Sequence, residues 1–472
     1  MVTFYIEQFG CRATQADGAA LERQLRERGF TPVSEATAAD VVVVNTCTVT
    51  AAADTQAREA IGKICAQNRA ARVIVTGCYA QRAPEELAAL PGVAWVVGNS
   101  HKPQIPQLLE ALSPIVSRGT SDFNANSFVL ASALETAPRS FMQEPAQTLI
   151  GNIFEQNSFL AAPVLGGEAN HTRPTLKIQD GCNSRCSYCV IPFVRGKSRS
   201  LPPDSVVKEI QSLSDSGYRE IVLSGINLGT YGRDLSPRVK FVDLLRRILD
   251  ETAIPRLRIS SIEPLDVTRN LIDLFGEDDR LAHHFHMPLQ SGSDRILAAM
   301  NRWYRAEHYA RRVDLIRERL PHASIGADVI TGFPGETEDD HAATLLFIER
   351  LDFTYLHVFS FSIRPGTKAA ARSNQVPANV IKRRARELRS LGERKAADFR
   401  NSQVGRILHV VTLRSDGQGL AVDRVRSPST VCTPALSSNY LRIRVSGAWD
   451  ANMLLRVRVH AGEGNYLTGE AQ

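Results

Sequence analysis

The chain has 472 residues, of which 43% are hydrophobic, so about three domains with packed cores are expected. A net charge of +6 is mild, and it excludes neither nucleic-acid partners nor neutral ones, so where the charge falls matters more than its sum. The opening Met1-Val2-Thr3-Phe4-Tyr5-Ile6-Glu7 lacks a basic, then apolar, leader, and no apolar run approaches the ~20 residues of a membrane helix. A cytoplasmic, membrane-free location is therefore expected, where clustered cysteines are metal ligands rather than disulfides.

Residues 1–112 alternate β-branched runs at 3–6, 41–44, 72–75 and 93–97 with helical patterns, which predicts a parallel sheet whose strand carboxyl ends share one rim. Cys11 follows the first strand, Cys47 ends the second and Cys78 ends the third, so all three are expected at that rim, where open α/β sheets bind ligands. Packing is the rival explanation for them, and it is the expected role of Cys65, which sits inside a helix pattern. Residues 113–170 show no sustained period and read as a linker or insertion.

Alternation resumes with candidate strands at 176–179, 221–224, 257–260, 285–289, 325–331 and 355–360, and six strand-helix units predict a partial (β/α)6 barrel within 171–400. After its first strand comes Gly181-Cys182-Asn183-Ser184-Arg185-Cys186-Ser187-Tyr188-Cys189. With eight cysteines in the chain, chance would supply roughly 0.002 such CxxxCxxC triplets. Three thiolates at this spacing can hold three irons of a 4Fe-4S cube and leave the fourth open to a small chelating molecule; a zinc ion would require a fourth ligand that the loop does not show. Turns at Ser224-Gly225-Ile226-Asn227, Gln290-Ser291-Gly292-Ser293 and Gly332-Phe333-Pro334-Gly335-Glu336 end other strands; gathered at one rim, they suit a cofactor pocket.

Residues 381–400 form a basic helix pattern with eight cationic and three acidic side chains, read as either a solvated face or an RNA contact. Residues 401–472 alternate with period two and predict a small antiparallel β domain with Arg442, Arg444, Arg456 and Arg458 on its polar face, suited to a phosphate backbone.

In Gly10-Cys11, Asn45-Thr46-Cys47-Thr48-Val49-Thr50, Gly77-Cys78-Tyr79-Ala80-Gln81, the stretch from Gln179 to Gly196, and Pro288-Leu289-Gln290-Ser291-Gly292-Ser293-Asp294, the chain resembles the methylthiotransferases of the radical S-adenosylmethionine (SAM) superfamily over nearly its whole length. The last segment more loosely resembles the RNA-binding TRAM domain. The implied fold is a flavodoxin-like N-terminal parallel sheet, a central radical SAM partial barrel and a TRAM-like C-terminal β domain. Thr48-Val49-Thr50, Lys177-Ile178-Gln179-Asp180, Ser260-Ser261-Ile262-Glu263-Pro264 and His357-Val358-Phe359 look most like the branch acting on N6-threonylcarbamoyladenosine beside the tRNA anticodon. Sister branches act on isopentenyladenosine in tRNA or on an aspartate of a ribosomal protein. A non-catalytic iron-sulfur or zinc RNA-binding regulator is the alternative from another class; it would need no SAM pocket. Departures from the family pattern are Thr14 in place of the usual asparagine, Ala16-Asp17-Gly18 where an acidic or tyrosine-acidic pair is usual, and the length of the linker.

The resemblance implies that Cys182, Cys186 and Cys189 are catalytic, holding a radical-generating 4Fe-4S cluster that binds SAM, while Cys11, Cys47 and Cys78 hold a second 4Fe-4S cluster that carries sulfur. Tyr188, Gly225, Asn227, Gln290, Ser291, Asp328 and Gly335 are the expected SAM contacts. Two SAM are consumed per product, and tRNA, a low-potential electron donor and a sulfur donor are the implied partners.

Overall fold

A computed structural model of the chain describes residues 2–112, 146–157, 159, 160, 162, 163, 172–414 and 431–472. These residues form two compact units, Met1–Ala162 with Val190–Lys197, and Pro163–Cys189 with Ser198–Gln472.

The first unit holds β1 (Thr3–Gln8), β2 (Thr31–Pro32), β3 (Val41–Thr46), β4 (Arg72–Gly77), β5 (Val93–Gly98) and β6 (Gln147–Leu149). They pair in parallel in the order β2-β1-β3-β4-β5-β6, which begins with the 2-1-3-4-5 arrangement of flavodoxin-like sheets. The unbroken valine run of β3 fits a strand covered on both faces: Val42 and Val44 pack with Ala57 and Ile61, Val41 and Val43 with Leu21 and Leu25.

Two features depart from the sequence reading. β6 falls in the stretch expected to be linker, yet pairs with β5 from Trp95↔Gln147 to Val97↔Leu149; three residues are too short to show a period. Residues 113–145 of that stretch lie outside the described residues. The second departure is the helix Ile191–Arg195, expected with the barrel, which belongs to the first unit because Val190 and Val194 bury against Cys78 and Arg195 pairs with Asp17.

In the second unit, β7 (Thr175–Asp180), β9 (Ile221–Gly225), β10 (Leu257–Ile259), β11 (His284–His286), β12 (Ser324–Thr331) and β13 (Tyr355–Ser360) match the six expected barrel strands, with a short β8 (Arg199–Ser200) antiparallel on the β7 edge. β10-β9-β7-β8 and β11-β12-β13 form two sheets, joined by parallel bridges Leu257↔Leu281 and Ser261↔His286. A large apolar core lies between these strands and their helices, with a smaller cluster of Ile296, Met300, Phe333 and Ala369 beside it.

The closing segment is a barrel of β14 (Ile407–Thr412), β15 (Cys432–Ser437), β16 (Arg442–Ser446), β17 (Leu454–Glu463) and β18 (Tyr466–Ala471), ordered β14-β15-β16-β18-β17. Its inward residues Leu408, Val410, Ile443, Val445, Val457, Val459 and Leu467 obey the period of two. The antiparallel domain expected here contains one parallel pair, β16 with β18, which closes the barrel and removes free edges. Glu220 ties this barrel to the six-stranded one: it pairs with Arg173, Arg256 and Arg258, and Arg258 donates onward to the carbonyls of Ser437 and Ser438 at 2.9 and 3.0 Å. Among the described residues no helix is long and apolar enough to cross a membrane.

Candidate functional site

In the first unit the carboxyl ends of β1, β3 and β4 carry Cys11, Cys47 and Cys78. Glycines permit the close approach. A Cβ on Gly10, which has φ +97°, would lie 2.7 Å from Cys47 Sγ, and one on Gly77, with φ +104°, would lie 2.3 Å from the Thr46 carbonyl oxygen. Cys11 Sγ lies 3.7 Å from Thr14 Oγ1, and Asn99 Nδ2 donates to Cys78 Sγ at 3.5 Å. Burial, reinforced by the neighbouring Cys78 and Cys11, pushes the Cys47 thiol up to about 12, so a thiolate there requires a compensating cation. Beside the triad, buried Asp17 is shared by Lys102 and Arg195, each at 3.0 Å, and Arg195 also reaches Thr14 Oγ1 at 3.3 Å. Arg195 is close enough to act on Cys47, where it opposes the dominant effect of burial. The sequence reading missed Lys102 and Arg195, which lie 85 and 178 residues from Asp17. Cys65 packs under Gly92, away from the triad, as expected.

In the second unit, Cys182, Cys186 and Cys189 occupy the loop after β7, none of them in a disulfide. Gly181, at φ +69°, turns the chain, and its N–H donates to Asp180 Oδ1 at 2.8 Å; Asp180 is held by buried Lys177 at 3.1 Å. Gln179 locks the loop base, donating to the Asp180 and Gly181 carbonyls and accepting from the Asn227 N–H at 2.8 Å. Ser187 fastens the far end through its N–H to Met300 O at 2.9 Å and its hydroxyl to Ala299 O at 2.8 Å. Arg302 Nη1 donates to Cys186 Sγ at 3.4 Å while its Nη2 pairs with Glu263. Burial pushes the Tyr188 hydroxyl well above its ordinary value. Arg302 was missed, and only the motif around Glu263 had drawn notice.

The expected SAM contacts divide. Gly225, Asn227, Gln290 and Ser291 sit at strand ends: a Cβ on Gly225 would meet the Gln179 side chain at about 3 Å, Gln290 adopts φ +66°, and buried Asn227 has an Oδ1 with no hydrogen-bond partner. Ser291 Oγ lies 3.3 Å from Thr344 Oγ1, and Gly335 N–H donates to Asn374 O at 2.7 Å, so both also serve packing. Asp328 stands inside β12, bonded to His286 Nε2 at 2.9 Å and His357 Nδ1 at 3.2 Å. Although burial opposes it, hydrogen bonds from these histidines hold its carboxyl well below the usual range.

Arg442, Arg444, Arg456 and Arg458 alternate with buried residues on β16 and β17, on strands separated by β18. Arg444 lies 3.6 Å over the Tyr466 ring, and Arg458 donates to Gly405 O at 3.3 Å, so Arg442 and Arg456 are the more available pair. The basic run sits on the helix Ala378–Asn401, where much of its charge is structural: Arg384 is buried against Glu336 and Glu338, Arg383 pairs with Glu338, and Arg394 with Glu349.

Zinc–sulfur bonds of 2.3 Å place tetrahedral ligands only ~3.8 Å apart. Among the described residues, only His286, Asp328 and His357 bring three ligand atoms within 4.8 Å of one another, so neither cysteine triad is closed to single-ion spacing.

Comparison with known proteins gives two family matches, "Uncharacterized protein family UPF0004" over residues 3–98 and "Radical SAM superfamily" over 176–348. The chain is 34% identical over 456 residues to the threonylcarbamoyladenosine tRNA methylthiotransferase MtaB of Aquifex aeolicus, covering 96% of this chain and 99% of that one. It is 35% identical over 416 residues to MtaB of Bacillus subtilis, covering 87% and 85%. A tRNA-2-methylthio-N(6)-dimethylallyladenosine synthase of Syntrophomonas wolfei is 31% identical over 408 residues, covering 86% of each. Among solved structures, the radical S-adenosylmethionine methyltransferase TsrM of Kitasatospora setae, with cobalamin and a 4Fe-4S cluster bound, aligns with TM-score 0.55 at 18% identity over 78% of this chain and 76% of that one, a likeness of fold.

Proposed function

The chain belongs to the radical SAM methylthiotransferase family, and from that premise we propose that it converts N6-threonylcarbamoyladenosine beside a tRNA anticodon to the 2-methylthio derivative. The family implies a 4Fe-4S cluster and SAM. The threonylcarbamoyl substrate is supported by 34–35% identity to two MtaB enzymes over most of both chains, and a second cluster by the two cysteine triads at strand ends of two separate sheets.

The residues fit these groups. Neither triad is drawn in to the spacing of a single zinc ion's ligands, Arg195 opposes the burial that keeps the Cys47 thiol protonated, and the orphaned Asn227 Oδ1 offers an acceptor at the end of β9. Cys182, Cys186 and Cys189 would hold the cluster that binds SAM, and Cys11, Cys47 and Cys78 a second one for sulfur. When bound, cluster and SAM together supply hydrogen abstraction from an unactivated carbon, which no side chain achieves. The protein's part is positional. Arg302 fixes Cys186, and Gln179 and Ser187 hold the two ends of the loop. Two SAM per product, an electron donor, a sulfur donor and action on tRNA in the cytoplasm complete the proposal.

Anaerobic reconstitution should yield about eight irons per chain, falling to about four when Cys182, Cys186 and Cys189 are all changed to Ala. Nucleosides of tRNA from a deletion strain should lack the 2-methylthio-threonylcarbamoyl product. Stoichiometric zinc without iron would overturn the cofactor reading. Loss of methylthio-isopentenyladenosine alone would overturn the substrate.

A further inference from the structure

The inner wall formed by β11, β12 and β13 carries a continuous chain of hydrogen bonds that holding a cluster does not require. His284 Nε2 lies 2.7 Å from Tyr355 Oη, Tyr355 Oη lies 2.9 Å from His286 Nδ1, and His286 Nε2 and His357 Nδ1 meet one oxygen of Asp328. Gly326 is required beneath it, because a Cβ there would lie 2.0 Å from the Tyr355 ring.

The carboxylate sets the direction of the two bonds it receives. Ionised Asp328 only accepts, so His286 Nε2–H and His357 Nδ1–H must donate to it. With both imidazoles neutral, His286 Nδ1 accepts from the Tyr355 hydroxyl, whose oxygen accepts from His284. At the other end, neutral His357 keeps Nε2 as an acceptor. Its side chain is 52% exposed, and Phe359, next along the same face of β13, is 45% exposed. The three ligand atoms of His286, Asp328 and His357 are spent on one another, which argues for an oriented acceptor rather than an ion site.

We propose that His357, oriented by Asp328, determines specificity for the N6 substituent of the substrate adenosine, with the exposed Phe359 ring, edge-to-face with His357, offering a stacking face beside it. This rests on the tRNA reading above. A polar substituent bearing N–H and O–H donors, such as threonylcarbamoyl, satisfies Nε2; an isopentenyl chain covers that acceptor without pairing it, and leaving a desolvated acceptor unpaired is how a binding site rejects an apolar analogue. Single-stranded bases held on aromatic rings are the common mode of RNA recognition.

The test compares kcat/KM on two anticodon stem-loop RNAs, one bearing N6-threonylcarbamoyladenosine and one isopentenyladenosine. His357→Phe keeps a ring but removes the acceptor, and should lower kcat/KM on the first RNA about tenfold or more while sparing or raising it on the second. Asp328→Asn, which no longer dictates the His357 tautomer, should shift the ratio the same way by a smaller factor. An unchanged ratio in active His357→Phe protein overturns the assignment, as does an equal loss on both RNAs. Wild-type protein inactive on both RNAs would instead overturn the tRNA reading, and this assignment with it.

Discussion

Glu220→Gln is the most demanding test of how the two barrels of the second unit are joined. Glu220 is fully buried, as is Arg258; Arg256 is 5% and Arg173 20% exposed. Burial alone would favour the neutral acid, but Arg258 first, then Arg173 and Arg256, hold the carboxyl far below its ordinary value. The amide preserves shape while leaving three guanidinium groups without their counter-charge. Removing one partner of such a buried set costs about 3–5 kcal/mol. Glu220 lies in the unit formed by Pro163–Cys189 and Ser198–Gln472, where an unfolding entropy of about 2.1 cal/mol/K per residue makes each kcal/mol worth about 1.6 °C, so thermal unfolding should fall by about 5–8 °C. Because the folded pKa is depressed, the carboxylate's contribution is fully present above the unfolded pKa of about 4.3 and is lost as pH falls through the folded value. The difference in melting temperature between wild type and Glu220→Gln should therefore be constant near neutrality and narrow under strong acid. A drop under about 2 °C, or a difference that widens on acidification, would refute the account.

Three further outcomes follow from particular contacts. Gly326→Ala forces a Cβ into the Tyr355 ring and should cost about 1–3 kcal/mol, read by urea unfolding. Asp54→Ala removes the carboxylate that binds Thr48 at 2.6 Å and Arg82 at 3.1 Å, with both charged side chains no more than 10% exposed, so about 3 kcal/mol should be lost and the iron content held by the Cys47 triad should fall. Replacing Arg442 and Arg456 with Gln should weaken tRNA binding and flatten its dependence on log salt by about 1.8 if each contacts a phosphate; an unchanged slope would place the RNA elsewhere.

Much of the architecture was legible because each barrel strand carries its own local signal: β-branched runs bounded by glycine turns, and a period of two in β14 to β18. The two cysteine triads were legible for the same reason, since thiols just after strands must lie at the carboxyl edge of a parallel sheet. β6 was not, because three residues carry no period and the partner β5 alone decides that they pair. The helix Ile191–Arg195 follows the cysteine loop without a break in chain, so nothing local could say that it packs on Cys78 in the first unit. Eight cations along residues 381–400 looked like one patch, whereas Arg383, Arg394 and buried Arg384 are paired with the carboxylates of Glu336, Glu338 and Glu349, more than forty residues earlier. The residues that tune the sites, Arg302 on Cys186, Arg195 and Lys102 on Asp17, and His286 and His357 on Asp328, are 29 to 178 residues from their partners. The sequence by itself determined which elements form and where the thiols fall, because propensity and hydrophobic period act over a few residues. Only the tertiary structure decided which charges meet, because an ion pair depends on distance through space and sequence separation carries no trace of it.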